Sequence, residues 1–191
     1  MEEIEYRGPL TENQVDQLVT YLAEEGTLIK EEFERVVFFE TANFPAIGDF
    51  QTGTSRLSLK SDNKGTYFRI KEGNPSDLSR KEFDIKIEEN DISNLIYILN
   101  RLGLTDGFYR PTFRRDYKIG NLIISVKTKC VMGNHFEFEL NDPDISSEDL
   151  IKKLILKFGL SIWSKNQYKE RIANLMINNS AINIYESKIF H

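Results

Sequence analysis

The chain has 191 residues, of which 40% are hydrophobic and 12% aromatic, and its net charge is −5. This length predicts one domain or two small ones, and the negative charge argues against a nucleic-acid binder that relies on bulk positive charge. One cysteine, Cys130, and one interior histidine, His135, exclude an internal disulfide, a cysteine-based zinc or iron–sulfur site and a multi-histidine metal site.

The first half of the chain predicts a strand, a helix and four further strands. The first strand covers residues 2–7 and ends at Gly8-Pro9. A capping box from Thr11 to Gln14 then starts an amphipathic helix, which Gly26 closes. Alternating apolar and polar residues predict the next four strands at residues 33–40, 54–60, 66–71 and 80–88.

The second half predicts a helix, three strands and two helices. The first helix starts at an Asp91 cap, and the next one starts at a Ser146 cap. The strands are predicted at residues 107–118, 121–129 and 134–140, and the last helix at about 164–178. The tail from Ala181 fits either a strand or a disordered end. Because the linkers are short, we expect one domain over residues 1–191, with the C-terminal helices and tail from about residue 146.

Most of these strands have one apolar and one ionic face, because residues two apart in a strand share a face. The ionic sets include Glu3, Glu5 and Arg7; Arg110, Arg114 and Asp116; Ser125, Lys127 and Lys129; and His135, Glu137 and Glu139. An antiparallel sheet with one face in water would explain the pattern. The alternative is a barrel or tunnel whose charges point inward, where carboxylates would bind a divalent cation and Lys and Arg a polyphosphate.

Seven motifs occur in order over residues 2–140. They are Glu3-Ile4-Glu5-Tyr6-Arg7, Phe38-Phe39-Glu40-Thr41, Arg56-Leu57-Ser58, Tyr67-Phe68-Arg69-Ile70-Lys71, Ser79-Arg80-Lys81-Glu82-Phe83-Asp84, Phe113-Arg114-Arg115-Asp116-Tyr117 and Gly133-Asn134-His135-Phe136-Glu137-Phe138-Glu139. Their order and spacing resemble the CYTH superfamily, which contains class IV adenylyl cyclases, thiamine triphosphatases and inorganic triphosphatases. A weaker likeness to the cyclase branch continues in Phe158-Gly159-Leu160 and Tyr168-Lys169-Glu170.

The resemblance implies an α+β fold, an antiparallel eight-stranded β-barrel or tunnel with flanking helices. It also implies Mg²⁺ or Mn²⁺ as cofactor and a small-molecule triphosphate as partner. The implied metal ligands are Glu3, Glu5, Glu137 and Glu139, with Glu82 as a supporting carboxylate. The implied phosphate contacts are Arg7, Arg56, Lys71 and Arg114, and the implied catalytic residues are Glu137, Glu139 and Arg114.

Two positions depart from the family's pattern. Ser58 stands where the family has the second arginine of an Arg-x-Arg pair, which removes a bidentate phosphate clamp. Lys127 stands where the family usually has an aspartate. We expect Lys127 either to contact phosphate in place of the missing arginine or to mark a chain that binds without efficient turnover.

The resemblance therefore implies an enzyme, first of all an adenylyl cyclase that converts ATP to cyclic AMP and pyrophosphate. The alternatives are hydrolysis of thiamine triphosphate or inorganic triphosphate, and a binder of phosphate ligands without catalysis. The acidic start, the lack of a long apolar run and the single cysteine lead us to expect a cytoplasmic protein that binds no membrane. Free sheet surface would leave room for a homodimer.

Overall fold

The computed structural model describes residues 4–39, 55–72, 81–140, 145–178, 182–187 and 189–190. The strands in these ranges are β1 (Ile4–Pro9), β2 (Thr27–Phe39), β3 (Ser55–Asp62), β4 (Gly65–Glu72), β5 (Lys81–Ile87), β6 (Asp106–Ile119), β7 (Leu122–Thr128), β8 (His135–Leu140) and β9 (Ile182–Asn183). The helices are α1 (Glu12–Glu25), α2 (Ile92–Arg101), α3 (Ile145–Phe158) and α4 (Lys165–Asn178). None of the described helices combines the length and apolar character needed to cross a membrane.

All strands belong to one antiparallel sheet in the order β1-β8-β7-β6-β2-β3-β4-β5, and the short β9 pairs with β6. Within the described ranges β1 and β5 are the two edges, with no hydrogen-bonded pairing between them. Side chains from both edges nevertheless line the same cavity, Glu5 from β1 and Glu82 from β5. The sheet is therefore curved into an open tunnel, which confirms the predicted fold class.

The eight predicted strands are all present, and most of the limits that can be compared agree to within one or two residues. The limits of β1 and β2 differ for identifiable reasons. β1 continues through Gly8 and Pro9, because it is an edge strand in which proline need not donate to a neighbour. β2 starts at Thr27 and not at Phe33, and a register shift between Leu28 and Lys30 interrupts the alternation that marks a strand.

The helix starts were predicted with mixed success. The capping box of α1 is confirmed, since Gln14 N donates to Thr11 Oγ1 at 3.2 Å and Thr11 N donates to Gln14 Oε1 at 2.9 Å. α3 already starts at Ile145, so Ser146 lies inside its first turn and is not its cap. Part of the C-terminal tail forms β9.

Most of the apolar packing lies outside the curved sheet, in two large clusters, and a third, small cluster joins Met132 to Tyr168. In one, α1 and α3 cover the outer face of β7 and β8, where Leu18, Leu154, Phe136 and Phe138 are fully buried. In the other, α2 and residues of the C-terminal tail cover β2 and β3. The members of this second cluster include Val37, Leu57, Leu59, Ile96, Leu99 and Ile184. Burial of the outer faces leaves the alternate residues of the same strands to line the concave side.

Candidate functional site

The ionic faces of the strands converge on a cavity of about 390 Å³ on the concave side of the sheet. Among the described residues, eight cationic side chains line it, namely Arg7, Lys30, Lys60, Arg69, Lys71, Arg110, Arg114 and Lys127. Five carboxylates of the same ranges line it as well, namely Glu5, Glu34, Glu82, Glu137 and Glu139. The other described lining residues are Val36, Phe38, Ser58 and Tyr168. Such a lining suits a multiply charged anion accompanied by a cation.

Two of the carboxylates, Glu5 on β1 and Glu139 on β8, lie directly opposite each other in the sheet register. Like charges at opposed positions repel. Glu5 is paired with Arg7, and Glu139 Oε2 lies 3.6 Å from Arg114 Nη2. Mg²⁺ is commonly held by one or two carboxylates together with substrate phosphates, so this opposed pair fits a divalent cation.

Glu137, the neighbouring carboxylate on β8, has contacts of another kind. Arg7 Nε donates to its Oε1 at 3.2 Å, and Lys127 Nζ contacts its Oε2. Burial alone would raise the pKa of Glu137, but Lys127 and Arg7 outweigh it and hold that pKa well below the ordinary value. Glu137 is therefore an ionised carboxylate with both oxygens in contact with protein cations.

Arg114 on β6 lies opposite Lys127 on β7, which places two cations side by side on the wall. Arg114 Nε donates to Asp116 Oδ1 at 2.6 Å, and its Nη1 lies 3.8 Å from Glu34 Oε1. Burial would lower the pKa of Arg114, but Asp116 and Glu34 raise it above the ordinary value. The guanidinium is thus held in place and fully charged.

The opposite wall carries a second group of carboxylates, from β2 and β3. Oxygens of Glu32, Glu34 and Asp62 lie within 4.8 Å of one another. Lys60 Nζ lies between two of them, 3.0 Å from Glu34 Oε1 and 3.1 Å from Asp62 Oδ2, and Lys30 contacts Glu32. Burial would raise the pKa of Glu34, but Arg114 and Lys60 lower it well below its ordinary value.

The third wall comes from β4 and β5. Glu82 forms ion pairs with Arg69 and Lys71, in which Arg69 Nη1 and Lys71 Nζ each lie 2.5 Å from a Glu82 carboxylate oxygen. Arg69 also forms a bidentate ion pair with Asp84. Glu82 therefore holds two cations against the cavity. The supporting role at the metal that the resemblance implied for this carboxylate stays a prediction, since its contacts in the structure are with two basic side chains.

The structure brings eight of the ten predicted site residues to one cavity. These are Glu5, Arg7, Lys71, Glu82, Arg114, Lys127, Glu137 and Glu139. Glu3 lies outside the described residues. Arg56 lies in β3 opposite Lys71 in register, but its side chain is outside the described part of the structure.

Sequence reasoning did not assign to the site five charged residues that line the cavity, which are Lys30, Glu34, Lys60, Arg69 and Arg110. Lys30 precedes the strand predicted at residues 33–40, and Glu34 is the second residue of that strand. The signal was present, because Lys30, Glu32 and Glu34 follow the two-residue period of a strand. An earlier strand start would have placed all three on the cavity side.

The segment after α3 supports the wall at Arg7. Trp163 N donates to the backbone oxygen of Arg7 at 2.8 Å, and the Tyr168 ring lies 4.8 Å from the Arg7 guanidinium. His135 is buried behind this segment, with its ring 5.7 Å from that of Trp163, and its Nδ1–H donates to Gly133 O. Burial and the nearby Lys127 lower the pKa of His135 to about 3, so it is neutral and structural.

Known proteins with the same fold were found through their structures. No protein-family model matches the chain, and no curated protein sequence does. The PH1819 protein from Pyrococcus horikoshii OT3 superposes with a TM-score of 0.66 at 18% identity, over 90% of this chain and 98% of that one. A candidate adenylate cyclase from Bacillus halodurans superposes with a TM-score of 0.59 at 16% identity, over 84% and 91% of the two chains.

A third similar structure is HpAC1 from Hippeastrum, a candidate adenylyl cyclase described as having a dominant triphosphatase activity. It superposes with a TM-score of 0.57 at 17% identity, over 85% of this chain and 90% of that one. The TM-scores establish a shared fold, although few residues are identical. The fold that the resemblance in the sequence implied is therefore confirmed.

Proposed function

We propose that the protein is an enzyme that hydrolyses a triphosphate with the help of Mg²⁺ or Mn²⁺. The observation that supports this best is the cavity, where cationic side chains for phosphate oxygens surround an opposed pair of carboxylates. Positively charged residues that are already in place stabilise the charge of a transferred phosphoryl group without reorganising. The dominant triphosphatase activity ascribed to HpAC1, which has the same fold, also supports hydrolysis.

In this proposal each wall of the cavity has its own role. Arg7, Lys71 and Arg114, together with Arg56, contact the phosphate oxygens through charge-assisted hydrogen bonds. Glu5 and Glu139, with Glu3, hold the divalent ion, which would neutralise charge on the phosphate oxygens. Water attacks the terminal phosphorus, the bond from phosphorus to the bridging oxygen breaks, and phosphate and a diphosphate product result.

The aromatic residues of the wall favour hydrolysis over recognition of a nucleobase. Phe38 lies under the guanidinium of Arg110, 5.0 Å from the ring centre, and Tyr168 lies 4.8 Å from that of Arg7. Among the described lining residues, both aromatic rings therefore already pack against guanidinium groups. A base would have to displace a guanidinium or stack on the opposite face of the ring.

Cyclisation of ATP is the second candidate. Tyr168, which lies in the part of the sequence that resembles the cyclase branch, lines the cavity and could border a ribose and base. In this reaction the ribose 3′ oxygen attacks the α-phosphorus and pyrophosphate leaves. The same cationic wall would hold the triphosphate in both reactions.

Product analysis separates the candidates. The protein is incubated with Mg²⁺ or Mn²⁺ and with tripolyphosphate, thiamine triphosphate or ATP, and the products are separated. Release of phosphate supports hydrolysis, whereas cyclic AMP supports the second candidate. Binding without turnover of any of the three would contradict an enzymatic function.

Substitution of the opposed carboxylates tests the metal assignment. We expect Glu139→Gln and Glu5→Gln each to lower turnover on the order of 100-fold, because a neutral amide cannot balance a divalent charge. Glu31→Gln is the matched control, since Glu31 is half exposed and pairs outside the cavity with Arg115 at 2.7 Å. Equal turnover of Glu139→Gln and the control would refute the assignment.

A further inference from the structure

The ion pair between Lys127 on β7 and Glu137 on β8 is buried at the cavity wall. The side chains of the two residues are only 7% and 10% exposed. Lys127 Nζ contacts Glu137 Oε2, while Arg7 Nε donates to the other oxygen, Oε1. Both oxygens of this carboxylate are thus in contact with basic side chains of the protein. Burial lowers the pKa of Lys127, and the adjacent Glu137 carboxylate opposes this shift.

A divalent ion would have to compete with the lysine for Glu137. Mg²⁺ binds carboxylate oxygens at about 2.1 Å, and an ammonium group in hydrogen-bond contact with the same oxygen would repel it strongly in a buried site. Displacement of the ammonium would in turn leave a buried cation without its partner. Glu5 and Glu139 also lie near cations, Arg7 and Arg114, but they face each other as two anions, so a divalent ion between them would meet two carboxylates.

The same ammonium group also faces the cavity. Lys127 is one of the lining residues, and it lies opposite Arg114 in the register of β6 and β7. An ammonium has three N–H donors, so the contact with Glu137 leaves donors for other acceptors. Two adjacent cations on the wall suit a phosphate group.

We propose that Lys127 takes the place of a divalent ion at Glu137, so that the cavity binds one divalent ion at Glu5 and Glu139 and contacts the phosphate near Glu137 through lysine. This inference rests on the proposed function, because it assumes a cavity that binds phosphate together with metal. It changes the role of Glu137, which holds Lys127 and Arg7 toward the substrate and is not a metal ligand. It also predicts measurable binding of tripolyphosphate when a chelator removes divalent ions.

The inference is tested by titrating the protein with Mn²⁺ in the absence of substrate. Electron paramagnetic resonance and calorimetry monitor the binding. We expect one bound Mn²⁺ in the unaltered protein and the same affinity in Glu137→Gln. In Lys127→Gln, we expect a second Mn²⁺ or an affinity higher on the order of tenfold. Lys129→Gln removes the same charge from an exposed residue just beyond β7 and should change nothing.

The double variant Lys127→Gln/Glu137→Gln shows whether the gain in Mn²⁺ binding requires the Glu137 carboxylate. If the double variant no longer shows the higher Mn²⁺ binding, the inference is supported. If the higher binding persists, it reflects only the change in the overall electrostatic field. A tenfold weaker Mn²⁺ affinity in Glu137→Gln alone, or no gain in Lys127→Gln, would overturn the inference. Thermal unfolding of each variant confirms that it is folded.

These outcomes are independent of the proposed reaction. If the unaltered protein binds no Mn²⁺ but Lys127→Gln gains a site that needs Glu137, the role of Lys127 stands and the site at Glu5 and Glu139 fails. If the metal results are as expected but no triphosphate is turned over, the inference stands and the proposed hydrolysis fails.

Discussion

At the scale of single residues, the cavity wall places like charges next to each other in two places. Glu5 lies opposite Glu139, and Arg114 lies opposite Lys127. Opposed like charges destabilise a sheet, and each of these four side chains is paired with a protein group of the opposite sign. In the proposed function, a metal ion adds a cation at the first pair and a triphosphate adds an anion at the second.

Arg114 provides the sharpest test of phosphate binding. Its guanidinium is held by Asp116 and Glu34, so its N–H groups are already oriented before a ligand arrives. We expect Arg114→Gln to weaken tripolyphosphate binding at least tenfold, and Arg114→Lys to weaken it less, because lysine keeps the charge but loses the planar fork. Calorimetric titration measures both affinities.

Arg115 is the matched control for Arg114. It is the next residue of β6, and it pairs at 2.7 Å with the half-exposed Glu31, away from the cavity. Arg115→Gln removes one positive charge and should leave the affinity nearly unchanged. Similar losses in the two variants would mean that only net charge matters and that the cavity does not bind the ligand.

The buried His135 makes the free energy of unfolding depend on pH. Its pKa is about 3 in the folded protein because of burial and the nearby Lys127, against 6.5 for an unperturbed histidine. The unfolded chain therefore binds more protons between these two pH values, so the free energy of unfolding falls as pH drops below 6.5. For this one residue the loss is about 2 kcal/mol at pH 5.

Urea unfolding of the protein and of His135→Gln between pH 7 and 4 measures this effect. The variant lacks the titrating group, so its free energy of unfolding should change less with pH, whatever its stability at pH 7. Equal slopes in the two proteins would show that His135 is protonated without cost in the folded state.

At the scale of secondary-structure elements, the crossing of β1 by the segment after α3 depends on Gly8. A Cβ atom at this position would lie 1.8 Å from the backbone oxygen of Ser161 and 2.6 Å from the ring of Phe136. We expect Gly8→Ala to lower the free energy of unfolding by about 1–3 kcal/mol or more, because the backbone oxygen cannot move without shifting the segment. Urea unfolding measures the change.

Gly120→Ala is the control that distinguishes the steric clash at position 8 from ordinary backbone strain. Its φ is +58°, and a Cβ atom at this position would meet no other group within 4 Å. Gly120→Ala should therefore be destabilising only by about 1 kcal/mol, from the left-handed conformation. If Gly8→Ala were no more destabilising than Gly120→Ala, the close crossing of β1 would be refuted.

The secondary-structure elements could be predicted wherever a capping motif or a regular alternation of apolar and polar residues was present in the sequence. The capping box at Thr11 and the alternation in the central strands predicted α1 and the eight main strands. The start of β2 was missed because a register shift between Leu28 and Lys30 breaks the alternation, and β9 has only two residues. Both are fixed by pairing with β6, which is distant in sequence.

The site was predicted for a different reason. Glu5, Arg7, Arg114, Glu137 and Glu139 belong to motifs that resemble a known family, and all five line the cavity. No motif covers the first half of β2, so Lys30 and Glu34 were missed. The contact of Lys127 with Glu137 joins two strands side by side, and neither strand alone indicates which of its charges the neighbour will meet.

At the scale of the whole molecule, a protein of net charge −5 concentrates basic side chains at one cavity, where eight cationic and five anionic side chains of the described residues form the lining. In the proposed function a bound polyanion contacts these cations, and a ligand that binds only the folded protein stabilises the fold. We expect tripolyphosphate to raise the melting temperature, by an amount equivalent to about 2.7 kcal/mol at a concentration 100 times its Kd.

Differential scanning fluorimetry checks this expectation. Orthophosphate and sulfate should have smaller effects than tripolyphosphate at equal concentration, because they contact fewer of the cations. Added sodium chloride should reduce the shift, though less than for a surface site, since partly buried charges are screened less. An equal shift with sulfate would indicate a general anion effect and no specific site.

The helices pack on the outside of the sheet, so the parts of the molecule that secure folding and the parts that select a ligand occupy opposite sides of the same strands. An inward-facing residue can be exchanged in the course of evolution without opening a void among the outer apolar side chains. Proteins that share only 16–18% of their residues with this chain can therefore retain its architecture. New chemistry can arise on the inner wall while the scaffold is inherited unchanged.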